Sequence, residues 1–352
     1  MKKADPRMPS QDDQREHELT HLPYRSWCRH CVRGRGKEEP CRRTGGTEET
    51  GLPELHVDYM CMGEEKEGKT LAILVGRERE TKAVMATVVP RKSSGEWVTK
   101  RLMAWMRELG YEFCDVIVKS DNEPALVSLV EAWGKLRAAK GGKRMVIEHS
   151  PVHSSKSNGV VERAVQAVQG MIRTMRSALE EKWGAKLDVA HPIWTWMAEY
   201  AGWLLTRCEV GRDGKTAYER IKGKHARVQG MEFGEAVLWK RRRQGGPLGK
   251  LTSMWEDGVF LGIKGSTAEI IVGDKNGVWV TRTVRRKPIE ERWNRENMEK
   301  VVGGSVEEEQ GRRGMRRGRY EGRGQDHGQG VQRKIGRGAN ADSSSTTCTH
   351  WA

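Results

Sequence analysis

Three acids stand out by their surroundings. Asp58 interrupts the alternating run LHVDYM, Asp121 follows directly on the apolar run VIVKS, and Glu162 lies in SNGVVER at the mouth of a long helical pattern. Each has a plain structural explanation when taken alone. Asp58 reads as an edge or solvent-facing strand residue, and Asp121 as an N-cap for a helix beginning near Glu123. Glu162 is an acid favoured by a helix dipole, worth a few tenths to about 1 kcal/mol. Taken together they suggest more. Three converging carboxylates repel one another unless cations neutralise them. A donor set made only of oxygens suits Mg2+ or Mn2+. Two such ions about 3.5–4 Å apart can clamp the attacking and leaving oxygens of a phosphoryl transfer.

A second group of ligating side chains precedes these acids. His17 and His21 form H-x3-H, and Cys28 and Cys31 form C-x2-C. Two thiolates and two imidazoles suit a tetrahedral structural Zn2+. His30 and Cys41 are rival ligands, and only six residues separate His21 from Cys28. The plain alternative is a cysteine-containing surface turn.

The elements that must position these groups follow from the hydrophobic pattern. LHVDYM, TLAILVG and KAVMATVVP alternate as strands. SGEWVTKRLMAWMRELG has helical spacing, DVIVKS is a short strand, and NEPALVSLVEAWGKLRAAK is helical up to Gly141-Gly142. RMVIEHS is another strand, and a helix then spans about Val160 to Trp183. Three strands, then helix, strand, helix, strand and helix, make an α/β layer architecture with a mixed sheet. On the long helix Val161, Val165, Val168, Ile172 and Met175 form an apolar stripe, while Glu162, Gln166, Gln169, Arg173 and Arg176 share another face.

The order of strand Asp, strand-end Asp and helix Glu, with VIVKSDNEPA and HSPVHSSKSNGVVERAVQAVQGMIRT around the last two, resembles the catalytic core of retroviral and retrotransposon integrases, most closely the copia type. Sixty-two residues separate Asp58 from Asp121 and 40 separate Asp121 from Glu162, the second gap being somewhat longer than the retroviral one. The resemblance covers roughly residues 17–290 and implies a ribonuclease H-like fold of the D,D,E class. It implies that Asp58, Asp121 and Glu162 hold two Mg2+ or Mn2+ ions, for cutting at an element's end and joining its 3′-hydroxyl to target DNA. It also implies a structural zinc on His17, His21, Cys28 and Cys31. Element-end and target DNA are the expected partners. Integrases of this kind act as multimers, which makes a second copy of the chain an expected partner as well.

On this reading residues 1–16 are a flexible lead, 17–41 the His/Cys module, 42–53 a linker and 54–224 the catalytic core with a helical extension. EAVLWK, DGVFLGI, AEIIVG and GVWVTRTV predict a small β domain over 225–290, resembling the SH3-like barrel that follows the core in copia-type polyproteins. A Gly/Arg-rich tail over 291–352 is expected to be disordered.

Charge agrees with a polyanionic partner. The chain carries a net +15 over 352 residues, and residues 211–250 hold eleven Lys or Arg against four Asp or Glu. Lys156, Arg163 and Arg173 beside the acids, and Lys240, Arg241 and Arg242 in the basic run, are the expected DNA contacts. No apolar run reaches the length of a membrane span, and MKKADPRMPSQDDQ lacks the apolar segment of a signal peptide. Seven scattered cysteines do not read as a disulfide framework. A nuclear site of action is expected. Two alternatives stay open: a catalytically dead polyprotein fragment that only binds nucleic acid, and a nuclease of the same fold that cuts without joining.

Overall fold

A computed structural model describes residues 9–36, 51–63, 70–92, 95–149, 159–240 and 253–303. Two short helices open it, α1 (Gln11–Thr20) and α2 (Arg29–Arg35). The Ser10 side chain caps α1 in a reciprocal capping box with Asp13, so regular structure starts within the stretch expected to be a flexible lead.

The central sheet is five-stranded, in the order β3-β2-β1-β4-β5. Its strands are β1 (Glu54–Gly63), β2 (Thr70–Glu78), β3 (Val84–Val89), β4 (Val116–Ser120) and β5 (Met145–His149). β1 to β3 form an antiparallel meander, while β4 and β5 run parallel to β1. Helices cover both faces. α3 (Glu96–Leu109) and α4 (Pro124–Ala139) pack on the face carrying Leu55, Val57, Tyr59 and Leu74. α5 (Gly159–Trp183) and α6 (Ile193–Cys208) pack on the opposite face, with Met60, Ile73 and Val75. This is the α/β mixed sheet with flanking helices that the strand and helix order predicts, and it agrees with the ribonuclease H-like fold that the resemblance implies.

Residue alternation decides which groups face which helices. On β1 the row Glu54, His56, Asp58, Met60 faces α5, and the row Leu55, Val57, Tyr59 faces α3 and α4. The buried face of α5 is Val161, Ala164, Val168, Met171, Ile172, Met175, Ala178 and Leu179, at the spacing expected of an amphipathic helix. The tryptophan-rich α6 buries Trp194, Trp196 and Trp203. Its Gly202 lets the helix lie against β3, since a Cβ there would meet the Ala86 backbone nitrogen at 2.9 Å.

After the six-residue helix α7 (Ala217–Lys222), a second five-stranded sheet is antiparallel throughout, in the order β10-β6-β7-β8-β9. Its strands are β6 (Ala236–Lys240), β7 (Trp255–Ile263), β8 (Ile270–Asp274), β9 (Gly277–Thr281) and β10 (Val284–Arg286). It is fastened to the core by aromatic packing. Tyr200 of α6 stacks on Phe233 at 5.7 Å between ring centres and meets Phe260 edge-on at 5.5 Å. Regular structure continues past residue 290 into α8 (Arg295–Glu299), because Met298 and Val301 are apolar and buried in the shared core. Among the described residues no helix is long and apolar enough to cross a membrane.

Candidate catalytic and metal-binding sites

β1 and β4 run parallel and in register, with Val57 opposite Ser120 at the end of the ladder. One residue on, Asp58 continues β1 while Asp121 directly follows the last residue of β4, close enough for its charge to act on Asp58. Alternation along β1 places Asp58 on the α5 face. Asp58 is partly buried at the sheet centre, and its Oδ1 accepts the Tyr59 N–H at 2.7 Å. Burial pushes its carboxyl up to about 6, and the charges of Asp121 and Glu123 push the same way against Lys92. Asp121 is exposed at the strand end, with its Oδ1 accepting the Asn122 N–H at 2.7 Å. The Lys92 ammonium bridges both oxygens of Glu123, at 2.7 and 3.0 Å.

Glu162 is exposed in the first turn of α5. The packing of that helix fixes its direction. Gln169, Ile172 and Arg173 line a cleft of about 270 Å3 with Met62, Leu71 and Ile73. α5 therefore runs in the same sense as β1, and its first turn overlies the His56–Asp58 end of the strand. Asp58 thus lies on the sheet face that α5 covers, but the three carboxylates are not gathered at coordination spacing. Among the described residues only His17, His21, Cys28 and Cys31 are gathered in that way. Residues 150–158, including Lys156 just before Glu162, lie outside the described residues.

The neighbours of Asp58 in its row form a buried polar network. His56 Nε2 lies 2.5 Å from Glu54 Oε1, and Glu54 also takes Arg79 at 2.8 Å and Lys119 at 3.2 Å. Burial holds the His56 imidazole below its ordinary range even though Glu54 opposes it. This network fixes the end of the sheet from which the acids project.

The His/Cys group is closer to a finished site. All four side chains are buried and their ligand atoms lie within 4.8 Å of one another. His17 Nε2 is 3.3 Å from Cys31 Sγ, and His21 Nδ1 is 3.6 Å from Cys28 Sγ and 4.0 Å from Cys31 Sγ. A tetrahedral ion with Zn–S near 2.3 Å and Zn–N near 2.0 Å sets its N and S ligands about 3.5 Å apart. The four residues therefore fit zinc. Their local structure explains the convergence. His17 sits in the last turn of α1 and His21 is its left-handed C-cap, while Cys28 is the N-cap of α2 and Cys31 lies one turn on. The hydrogen bond from Cys31 holds the Cys28 thiol far below the usual range, and the same contact together with burial pushes Cys31 up. The rival ligand His30 turns away. Its Nδ1 is 2.8 Å from Ser177 Oγ and its Nε2 is 3.5 Å from Glu181, and burial drops its pKa to about 4. Cys41, the other rival, is outside the described residues.

This module is docked onto the C-terminal half of α5. Gly34 and Gly170 meet backbone to backbone: a Cβ on Gly34 would lie 2.2 Å from Thr174 Oγ1 and 2.9 Å from the Gly170 carbonyl. Arg29 pairs with Glu181, Lys182 pairs with Glu18, and Arg173 Nε donates to the Gly34 carbonyl at 3.3 Å. Arg173, expected to contact DNA, thus commits one donor to the module. Arg163 is exposed, with its Nε on the Gly159 carbonyl at 2.9 Å. Lys240 is exposed at the end of β6, and Arg241 and Arg242 lie outside the described residues.

No family model matches the chain, and no curated protein matches its sequence. Among solved structures, the chain is similar to the catalytic core domain of BIV integrase, at 18% identity, covering 48% of this chain and 92% of that one, with a TM-score of 0.33. The magnesium complex of the HTLV-2 integrase catalytic core domain, a trimeric form, matches at 19% identity, covering 48% and 97%, with a TM-score of 0.33. The simian T-cell lymphotropic virus intasome in complex with the PP2A regulatory subunit B56 gamma matches at 15% identity, covering 74% and 87%, with a TM-score of 0.38. The acid row and the His/Cys cluster therefore carry the functional reading on their own geometry.

Proposed function

We propose that the chain is an integrase-type DNA strand transferase of the copia retrotransposon type, with Asp58, Asp121 and Glu162 as its metal-holding acids. The observation that carries this reading is the pair Asp58, in β1, and Asp121, the residue that follows the parallel neighbour β4, close enough that the Asp121 charge helps burial hold Asp58 up to about 6. Two like charges at the end of a sheet form an oxygen-only donor set that a divalent cation relieves. Glu162, in the exposed first turn of α5, would supply the third carboxylate. A bound Mg2+ or Mn2+ pair supplies charge neutralisation and an activated oxygen at a phosphodiester. The chain contributes positioning: β1 holds Asp58, the end of β4 sets where Asp121 stands, the Glu54–His56 network stiffens β1, and α5 carries the third acid. His17, His21, Cys28 and Cys31 would hold a structural Zn2+ that locks α1 to α2. DNA is the substrate, the nucleus is the place of work, and a second copy of the chain is the expected partner.

The test is a joining assay with a labelled short duplex, a target duplex and Mg2+ or Mn2+. Joined product that disappears in Asp121→Asn supports the reading. Retention of DNA with neither cut nor joined product points to the binding-only alternative, and cutting without joining points to the nuclease.

A further inference from the structure

Beside the acid row lies a cationic group that neither the triad nor the zinc module uses. Arg77 belongs to the β2 row Ile73, Val75, Arg77, which faces α5, and it is an arginine where the pattern predicts another apolar residue. It sits opposite His56 on one side and Val84 on the other. Val75 pairs with Asp58, so Arg77 is the diagonal neighbour of that acid, about 7–8 Å away between α-carbons. It is only partly exposed, and among the described residues it makes no hydrogen bond or ion pair. An arginine so placed is expensive to leave unpaired.

Two further cations face it. Arg163 stands in the first turn of α5, the turn that overlies this end of β1, and it has no carboxylate partner among the described residues. Lys82 projects from the β2–β3 turn, with a left-handed backbone at φ 67°, and its ammonium reaches only the Arg79 carbonyl. The turn beneath it is rigid. The buried Glu78 carboxylate accepts the Glu80 N–H at 3.1 Å together with the Thr81 N–H and hydroxyl, and Arg220 Nη1 grips the Thr81 carbonyl at 2.8 Å. The other nearby arginines are satisfied: Arg79 pairs with Glu54 and Arg220 with Asp213. Glu209 and Glu78 are the acids close enough to act on Arg77, while Arg163 and Lys82 act on Arg77, and Arg163 on Lys82, as like charges. Burial holds Arg77 below its ordinary range, with Arg163 adding to the effect.

We propose that Arg77, Lys82 and Arg163 form a seat for a backbone phosphate of DNA, next to the Asp58–Asp121 pair. The seat takes its ligand class from the DNA-acting reading above. A phosphodiester carries a single negative charge and two free oxygens that a guanidinium can grip with two donors. Three neighbouring cations without an ion pair among the described residues are relieved by such an anion, and seating it here sets the register of the strand relative to the acids.

The test measures binding of a short fluorescent duplex by anisotropy, over a range of KCl and with no Mg2+ or Mn2+ added, so that no chemistry enters. Arg77→Gln, Lys82→Gln and Arg163→Gln should each weaken binding about fivefold to tenfold near 0.1 M salt and lower the log–log salt slope by about one. A duplex closed by hairpins at both ends identifies the source of the phosphate. An equal loss on open and closed duplexes assigns the seat to internal phosphates, and a loss confined to the open duplex assigns it to a strand end. Wild-type affinity and slope in a folded Arg77→Gln protein would overturn the proposal. Should Arg77→Gln melt early, the exposed Lys82→Gln decides in its place by the same two readouts, and Arg77→Lys should restore part of the slope. A wild-type chain that binds with the full slope but joins nothing removes the strand-transfer reading and leaves the seat standing.

Discussion

Replacing Asp58 by Asn should stabilise the protein at neutral pH and leave it unchanged in acid. Asn keeps the Oδ1 that accepts the Tyr59 N–H and removes only the charge. An Asp whose pKa is raised in the folded chain holds its proton longer there than in the unfolded chain. Between the ordinary 3.8 and about 6, rising pH strips the unfolded chain first, so stability falls across that window and stays low above it. A rise of that size is worth about 3 kcal/mol as a ceiling. Asp58 is only partly buried, and solvent screening brings the figure down to about 1–2 kcal/mol. For a folded unit of this size that is about 2–4 °C in Tm. The assay is a pair of thermal melts with no Mg2+ or Mn2+ added, at pH 4 and at pH 8, for the wild type and Asp58→Asn. The variant should melt about 2–4 °C higher at pH 8 and together with the wild type at pH 4. Adding Mg2+ should raise the wild-type Tm and close the gap, because a ligand that binds only the folded state stabilises it. If Asp58→Asn melts lower than the wild type at pH 8, or shifts equally at both pH values, then Asp58 is not a buried charge in wait of a cation.

Three further outcomes follow from the same structure. Cys28→Ser with Cys31→Ser should abolish bound zinc by elemental analysis and lower Tm, and a chelator should do the same to the wild type; unchanged metal content would remove the zinc assignment. Gly34→Ala should destabilise by about 1–3 kcal/mol, read as a drop in denaturant midpoint, because its Cβ would press on Thr174 and Gly170 where neither backbone can yield. Glu162→Gln should remove joined product while leaving the salt slope of DNA binding at its wild-type value, since the variant deletes an acid and no phosphate contact.

Much of the architecture was legible because it is written locally. The period-two runs give β1 to β3, and the apolar stripe from Val161 to Met175 gives α5 to within a residue at its start. The H-x3-H and C-x2-C spacings point to four side chains that the structure does bring together. What was hidden depends on contacts between distant segments. Nothing near His30 shows that its ring is taken by Ser177 and Glu181, some 150 residues away, and so cannot serve as the fourth ligand. The Gly34–Gly170 crossing has no period and no motif. Arg77 left a trace, an arginine in a row of Leu71, Ile73 and Val75, but its meaning needs the helix above it. The Met298 and Val301 anchors were masked by their charged, Gly-rich surroundings, because two apolar residues suffice to pin a short segment that composition alone assigns to a tail.

α5 connects these parts physically. Its first turn carries Glu162 and Arg163, its middle packs on the strands that hold Asp58, and its last turns grip the His/Cys module through Gly170, Thr174, Ser177 and Glu181. Lys182, at its end, pairs with Glu18 of α1 and with Glu232, and lies over the Trp293 ring at 4.7 Å. A helix 25 residues long spans about 37 Å, and held at both ends it transmits a shift at one end as a rigid rod. The module is therefore more than a tethered appendage: whatever tightens the four ligands also fixes the far end of the helix that presents the third acid. Loss of zinc should then loosen the end of α5 that carries Glu162 as well as α1 and α2. Hydrogen exchange separates the two cases, since a tethered module would lose protection only in α1 and α2, whereas a shared helix loses it along α5 to Glu162.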